Sequence, residues 1–215
     1  MQVTHDLQRR PAPAARLSNI GIYGGSLWTG SWDTNRVYAI DPGTWTVREE
    51  YEAPGRPYGI AALGDELRVV IGFGGDDDDR YLYRLIPGRG FDLQSKTACP
   101  DFTGSYMASH DSTLYLGQMH LRRIVALKPD ATIEREFPLP THCGGIGFGP
   151  DGKLYMISGD DELEHLKFGV LDISQTLPAF NEIASLPDEA RSLAYDGSRW
   201  WTSLRDLTEI ASFTV

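Results

Sequence analysis

The chain repeats one short pattern five times, and that repetition limits its fold more than any other feature. The stretches SNIGIYGGSLWTGSW from Ser18, YGIAALGDELRVVIG from Tyr58, SYMASHDSTLYLGQ from Ser105, GGIGFGPDGKLYMISG from Gly144 and ARSLAYDGSRWWTSL from Ala190 share a plan. Each has a strand rich in small and apolar residues, then a tight polar turn, then a second strand that opens on a large side chain. The opening residues Leu27, Leu67, Leu114, Leu154 and Trp200 stand 40, 47, 40 and 46 positions apart. A period of roughly 40–50 residues is that of a four-stranded blade, a unit that cannot bury its own apolar faces and must stack against neighbours.

Every copy runs on into a third strand: RVYAIDPGT, YLYRLIPGRG, RIVALKPDAT, FGVLDISQT and EIASFTV. Four copies add a fourth strand, WTVREEYEAPG, FDLQSKTACPD, IEREFPLPT and FNEIASLPD, whereas the fifth reaches Val215 without one. Near Met1, QVTHDLQRRP has the same strand-then-proline form. The sequence therefore predicts an all-β, five-bladed β-propeller in a single domain, 1–215, with residues 2–10 completing the last blade. Glycine and proline fall between strands, where turns need fixed or positive φ. No stretch keeps a helical period, and DDELEHLKF reads as an extended loop.

Composition narrows the partners. With 30 acidic against 20 basic residues and a formal net charge of −10, the chain lacks the basic surface that phosphate neutralisation needs, which argues against nucleic acid. No apolar run approaches the roughly 18 residues of a membrane span. MQVTHDLQRR has no apolar segment of signal-peptide type, so the expected location is the cytoplasm. Cys99 and Cys143 are then expected to be free thiols. A closed ring has no sheet edge to dictate pairing, and a monomer is the default.

GSLWTGSWDTNRVYAIDPGT, RPYGIAALGDEL and GGIGFGPDGKLYM resemble the repeats of streptogramin-lyase-like and gluconolactonase-like propellers. The likeness covers most of the chain and is one of blade framework. It implies a small-molecule site at the central funnel, often with a divalent metal, that carries out lactone opening or elimination.

In a four-stranded blade, the turns joining strands one to two and three to four lie on one face. The two-to-three and blade-to-blade connections lie on the other. The first face receives glycine- and aspartate-rich turns together with His110, and it reads as structural. The second receives the loops RRPAPAARLSN, APGRPYG, CPDFTGSY, PTHCGG and PDEARS, which should ring the axis. They bring Arg16, Asn19, Arg56, Tyr58, Asp101, Tyr106, His142, Cys143, Glu189 and Arg191 to the rim. SWDTN, GGDDDDR, GQMHLRR, SGDDELEHLK and LRDLT lie farther out. Polar loops on one face of a rigid scaffold are where function tends to sit.

Among these residues His142 suits acid–base work, because an imidazole titrates near neutrality and its loop is expected to face Glu189 and Arg191. Glu189 would orient it or bind metal, and Tyr58 can donate a proton. Arg56, Arg191, Tyr106 and Asn19 would fix the substrate's oxygens, while Trp32, Met119 and His120 occupy equivalent outer-loop positions and would wall it. Cys143 reads either as a nucleophile or as a buried strand-end thiol, since neighbours on a strand point to opposite sides. Asp76–Asp79 and the acidic loop from Asp160 to His165 offer oxygens for Ca²⁺ or Mg²⁺ without a diagnostic spacing. Two functions stand: a small-molecule enzyme of acid–base lyase or hydrolase type, and a non-catalytic ligand-binding or protein-docking propeller. The five rim loops differ in residue type, which favours one asymmetric site and hence the enzyme.

Overall fold

The computed structural model describes residues 6–74 and 79–215, and in it five four-stranded antiparallel sheets form a ring. The outer strand of the last blade is β1 (Gln8–Pro11). The first blade comprises β2 (Leu17–Tyr23), β3 (Ser26–Ser31), β4 (Arg36–Ile40) and β5 (Val47–Glu52). The second comprises β6 (Arg56–Leu63), β7 (Glu66–Gly72), β8 (Arg80–Ile86) and β9 (Gly90–Ala98), and the third β10 (Tyr106–His110), β11 (Thr113–Gln118), β12 (Arg123–Leu127) and β13 (Ile133–Pro138). The fourth comprises β14 (His142–Phe148), β15 (Leu154–Gly159), β16 (Lys167–Asp172) and β17 (Ala179–Ser185). The fifth has β18 (Ala190–Tyr195), β19 (Trp200–Leu204) and β20 (Glu209–Phe213), with β1 beside β20.

Successive strand residues point to opposite sheet faces, and here both faces are buried. In β12, Ile124 and Ala126 pack towards the fourth blade around Cys143 and Met156, while Val125 and Leu127 pack towards the second around Val70 and Leu82. In β4, Val37 and Ala39 meet the second blade, and Tyr38 and Ile40 meet the fifth. This is why the third strands read as nearly continuous apolar runs, where a sheet wet on one side would alternate. The fourth strands carry charge instead, as in VREEYE of β5 and IEREFP of β13, and so blunt the outer edges.

Ring closure differs from the expected span by a few residues: the pairing strand is Gln8–Pro11, opposite Glu209–Ser212 of β20, and residues 2–5 lie outside the described residues. Ahead of it Asp6 takes the Arg199 guanidinium at 2.9 Å and the Thr214 hydroxyl at 2.9 Å. Trp45 secures the other flank by stacking on Trp201 and donating its indole N–H to the Pro11 carbonyl at 2.8 Å.

The first face is built of aspartate-capped turns, and its one histidine, His110, is stacked on Phe148. Asp41, Asp130, Asp151, Asp172 and Asp196 each accept main-chain N–H groups two or three residues on. The Thr44 and Gly43 amides, with the Arg48 guanidinium, hold the Asp41 carboxyl down to about 2. Asp130 and Asp172 are also lowered, chiefly by the Thr132 and Ser174 side chains. An unfolded aspartate titrates near about 3.9, so these groups stabilise the fold fully above that pH and lose their contribution as pH falls towards about 2. Melting temperature should drop across this interval, and Asp41→Asn should flatten the drop. An unchanged pH profile in that variant would contradict the assignment.

Candidate functional site

The five innermost strands, β2, β6, β10, β14 and β18, line the axis. In four of them the pairing slips by one residue, between Leu17 and Ile20, Pro57 and Ile60, Cys143 and Gly145, and Arg191 and Ala194. Such bulges bend a strand and free main-chain groups from the ladder. Asn19 sits in the first bulge, fully buried, and its amide donates to the carbonyls of Ile20 (3.1 Å), Ile60 (2.8 Å) and Met107 (3.2 Å). One side chain thus ties the inner edges of three blades together, and its Oδ1 has no partner among the described residues. Gly145 is required where the fourth blade meets the fifth, because a Cβ there would lie 2.6 Å from the Ser192 main-chain carbon. On the turn side of this constriction is an axial cavity of about 120 Å³ between Ile20, Ile60, Met107 and Leu193, which holds no charged side chain.

The opposite mouth is chemically different. Trp32, after β3, packs on Tyr58 at 5.0 Å between ring centres, and the Arg80 guanidinium lies 3.6 Å from the centre of the Tyr58 ring. Around Trp32 stand the guanidinium carbons of Arg205 (4.3 Å), Arg16 (5.5 Å) and Arg56 (6.0 Å). Arg205 belongs to the fifth blade, yet it donates to the Leu17 carbonyl of the first at 3.1 Å and hydrogen-bonds the Tyr106 side chain of the third. It therefore crosses the mouth. Arg191 donates to the carbonyls of Asp188, Ala190 and Leu163. Burial pushes the Tyr106 hydroxyl upwards, with Arg205 and Arg191 opposing that shift.

Several expectations are altered by these positions. Asn19 and Tyr106 lie below the rim, both buried: Asn19 as the axial tie, and Tyr106 as a prop for Arg205. His142 pairs through Nε2 with Asp161 at 3.3 Å rather than with Glu189, whose main-chain carbonyl takes the Arg205 N–H. Cys143 is in the core between the third and fourth blades and not at the rim, because it points away from its neighbour. Burial pushes its thiol up to about 12, and that of Cys99 likewise, so neither is a poised nucleophile. Met119 packs into the apolar cluster of the fourth and fifth blades, and His120 is exposed. Asp101 pairs with Arg123.

Among the described residues no group of three or more His, Cys, Asp or Glu is placed to hold a metal ion. Asp76, Asp77 and Asp78 of the acidic run lie outside the described residues, and Asp79 accepts the Phe73 N–H. No helix among the described residues is long and apolar enough to cross a membrane. Arg205 belongs to LRDLT, expected farther from the axis, but it opens a 3-10 turn, Arg205–Leu207, and its side chain reaches Trp32 and the Leu17 carbonyl. The signal was present in the repeat: Trp32, Met119 and Arg205 all follow the opening residue of the second strand at the same interval.

The fold defines a five-bladed β-propeller whose polar chemistry gathers at one mouth. No protein-family model matches the chain, and no curated protein matches it in sequence. Solved structures do. Glutaminyl cyclase from Myxococcus xanthus matches with a TM-score of 0.68 at 11% identity, covering 97% of this chain and 94% of that one. Catalytically inactive virginiamycin B lyase from Staphylococcus aureus with quinupristin matches with a TM-score of 0.60 at 15% identity (96% and 83% covered). PQQ-bound aldose sugar dehydrogenase from Streptomyces coelicolor matches with a TM-score of 0.60 at 13% identity (92% and 78%). The blade framework is thus shared with the lyase that the repeats resemble, and at these identities the likeness is one of fold.

Two outcomes test this description. Asn19→Ala removes a buried donor shared by three blades and should cost about 2–4 kcal/mol in denaturant unfolding. A disulfide-exchange reagent at mildly alkaline pH should label native Cys99 and Cys143 about a hundredfold or more slower than the unfolded chain. Equal labelling rates would mean that the inter-blade cores open readily.

Proposed function

We propose that the protein is an enzyme acting on a small molecule at the arginine-rich mouth, by acid–base lyase or hydrolase chemistry of the lactone-opening or elimination kind. The observation that carries this reading is His142. Its side chain is 13% exposed, its Nε2 is held by Asp161, and its Nδ1 is buried with no partner among the described residues. A native buried polar atom is rarely left unpaired without a role. With Nε2–H given to the carboxylate, Nδ1 keeps its lone pair, and a substrate group or water that reaches this buried atom would give it a proton.

The loop carrying Asp161 also joins His142 to the mouth, since its Leu163 carbonyl receives Arg191. Arg56 and Arg191 would polarise the substrate's oxygens, and Tyr58, held between Trp32 and Arg80, would supply a proton. Asp161 takes the orienting role first expected of Glu189. The structural neighbours carry out different chemistry on one framework, which supports an enzymatic propeller without choosing the reaction. The two free, buried cysteines agree with a reducing compartment such as the cytoplasm.

A second reading, a propeller that binds a ligand without turning it over, is favoured by the main-chain carbonyls that lock Arg191 and Arg205. The test is turnover of a panel of lactones, quinupristin and glutaminyl peptides. His142→Ala should lower the rate by about 10²–10⁴-fold with unchanged thermal unfolding. Full activity in that variant would overturn the assignment, and no turnover of any panel member by the wild type would favour the second reading.

A further inference from the structure

We propose that the ligand of this mouth is a small organic carboxylate, gripped by Arg56 and Arg205 beside Trp32, with Arg191 adding positive charge to the mouth. The inference rests on the reading that a small molecule binds there and adds its chemical class.

Three guanidinium groups stand within 6.0 Å of the centre of one indole ring. The ring attracts each cation, while the cations repel one another. Arg16 has a counter-charge, Asp33 at 3.8 Å. Arg56, Arg191 and Arg205 have no carboxylate at ion-pair distance among the described residues, although Asp188 and Asp206 act on Arg191 from farther away. Carboxylates are not scarce in a chain with 30 acidic and 20 basic residues. Elsewhere many cations are paired, as in Arg36–Glu50, Arg48–Asp41, Arg84–Asp92 and Arg123–Glu136, while those without a carboxylate among the described residues, such as Arg10, Arg89 and Arg135, are scattered. At the mouth three such arginines gather in one place.

Arg191 and Arg205 spend part of their donors on main-chain carbonyls, but other donors of the mouth are unused. Arg56 is half-buried and its guanidinium makes no hydrogen bond among the described residues, so those N–H groups are unspent, and the Trp32 indole N–H is buried with no partner among them either. Burial lowers the pKa of Arg191, as expected of a cation withdrawn from water without an adjacent anion. A planar guanidinium matches two oxygens of one carboxylate side by side. Trp32 and Tyr58 add an aromatic wall that suits an organic framework and that inorganic phosphate would leave unused.

The experiment is isothermal titration of the full chain with phthalate, its neutral analogue phthalamide, and inorganic phosphate, in buffer free of carboxylates and phosphate. Phthalate should bind saturably, more weakly as sodium chloride is added, and phthalamide should not bind. Arg56→Ala should weaken phthalate by about tenfold or more, with Arg56→Lys recovering only part, because an ammonium cannot form the two-oxygen fork. His110→Ala, on the opposite face against Phe148, should bind phthalate within about threefold of wild type, because that residue is far from the grip. If Arg56→Ala does not fold, Arg56→Gln carries the same comparison. No phthalate binding, or unchanged affinity in the arginine variants, would overturn the inference, as would phosphate binding as tightly as phthalate. Arginine-dependent binding without His142-dependent turnover keeps the inference and removes the acid–base reading. His142-dependent turnover of an uncharged substrate without phthalate binding does the reverse.

Discussion

Every blade of this protein is apolar on both faces, and the rest of the structure follows from that. A sheet with two faces to bury cannot end a stack, so a row of five would leave an apolar face open at each end. Bending the row into a ring removes both ends. Closure then depends on β1, a short strand without an apolar core of its own, and the contacts around it are correspondingly specific: Asp6 with Arg199 and Thr214, and Trp45 between Trp201 and Pro11.

A ring of five leaves a narrow axis, and the inner strand edges bring main-chain groups close together there. Burying such groups without partners is costly. Asn19 answers this with one amide shared among carbonyls of three blades. That contact also separates the two faces of the molecule: a small apolar cavity on the turn side, and charged and aromatic side chains on the other.

Charge is distributed by the same logic. The aspartates of the first face are consumed by turn amides, and those of the outer strands by lysine and arginine. Arginines drawn to the axis by main-chain carbonyls, Arg191 and Arg205 above all, are held where few carboxylates reach. An acidic protein thus carries a locally basic mouth, which net charge alone would not disclose.

The amino-acid pattern by itself determined the blade count, the strand assignments and the closing strand, because repeat spacing and two-residue alternation are local properties that burial on both faces makes unambiguous. It also separated the faces, since connection order fixes which turns lie together. Side-chain destinations near the axis were decided only by tertiary structure. Asn19 and Tyr106 share the rim loops with Arg56 but turn inwards, Cys143 and His142 part at one peptide bond, and Arg205 is carried to the centre by a 3-10 turn with no periodic signature. The pairing of His142 with Asp161 instead of Glu189 likewise depends on how an irregular loop folds back. Such choices rest on contacts between residues distant in sequence, and no spacing along the chain encodes them.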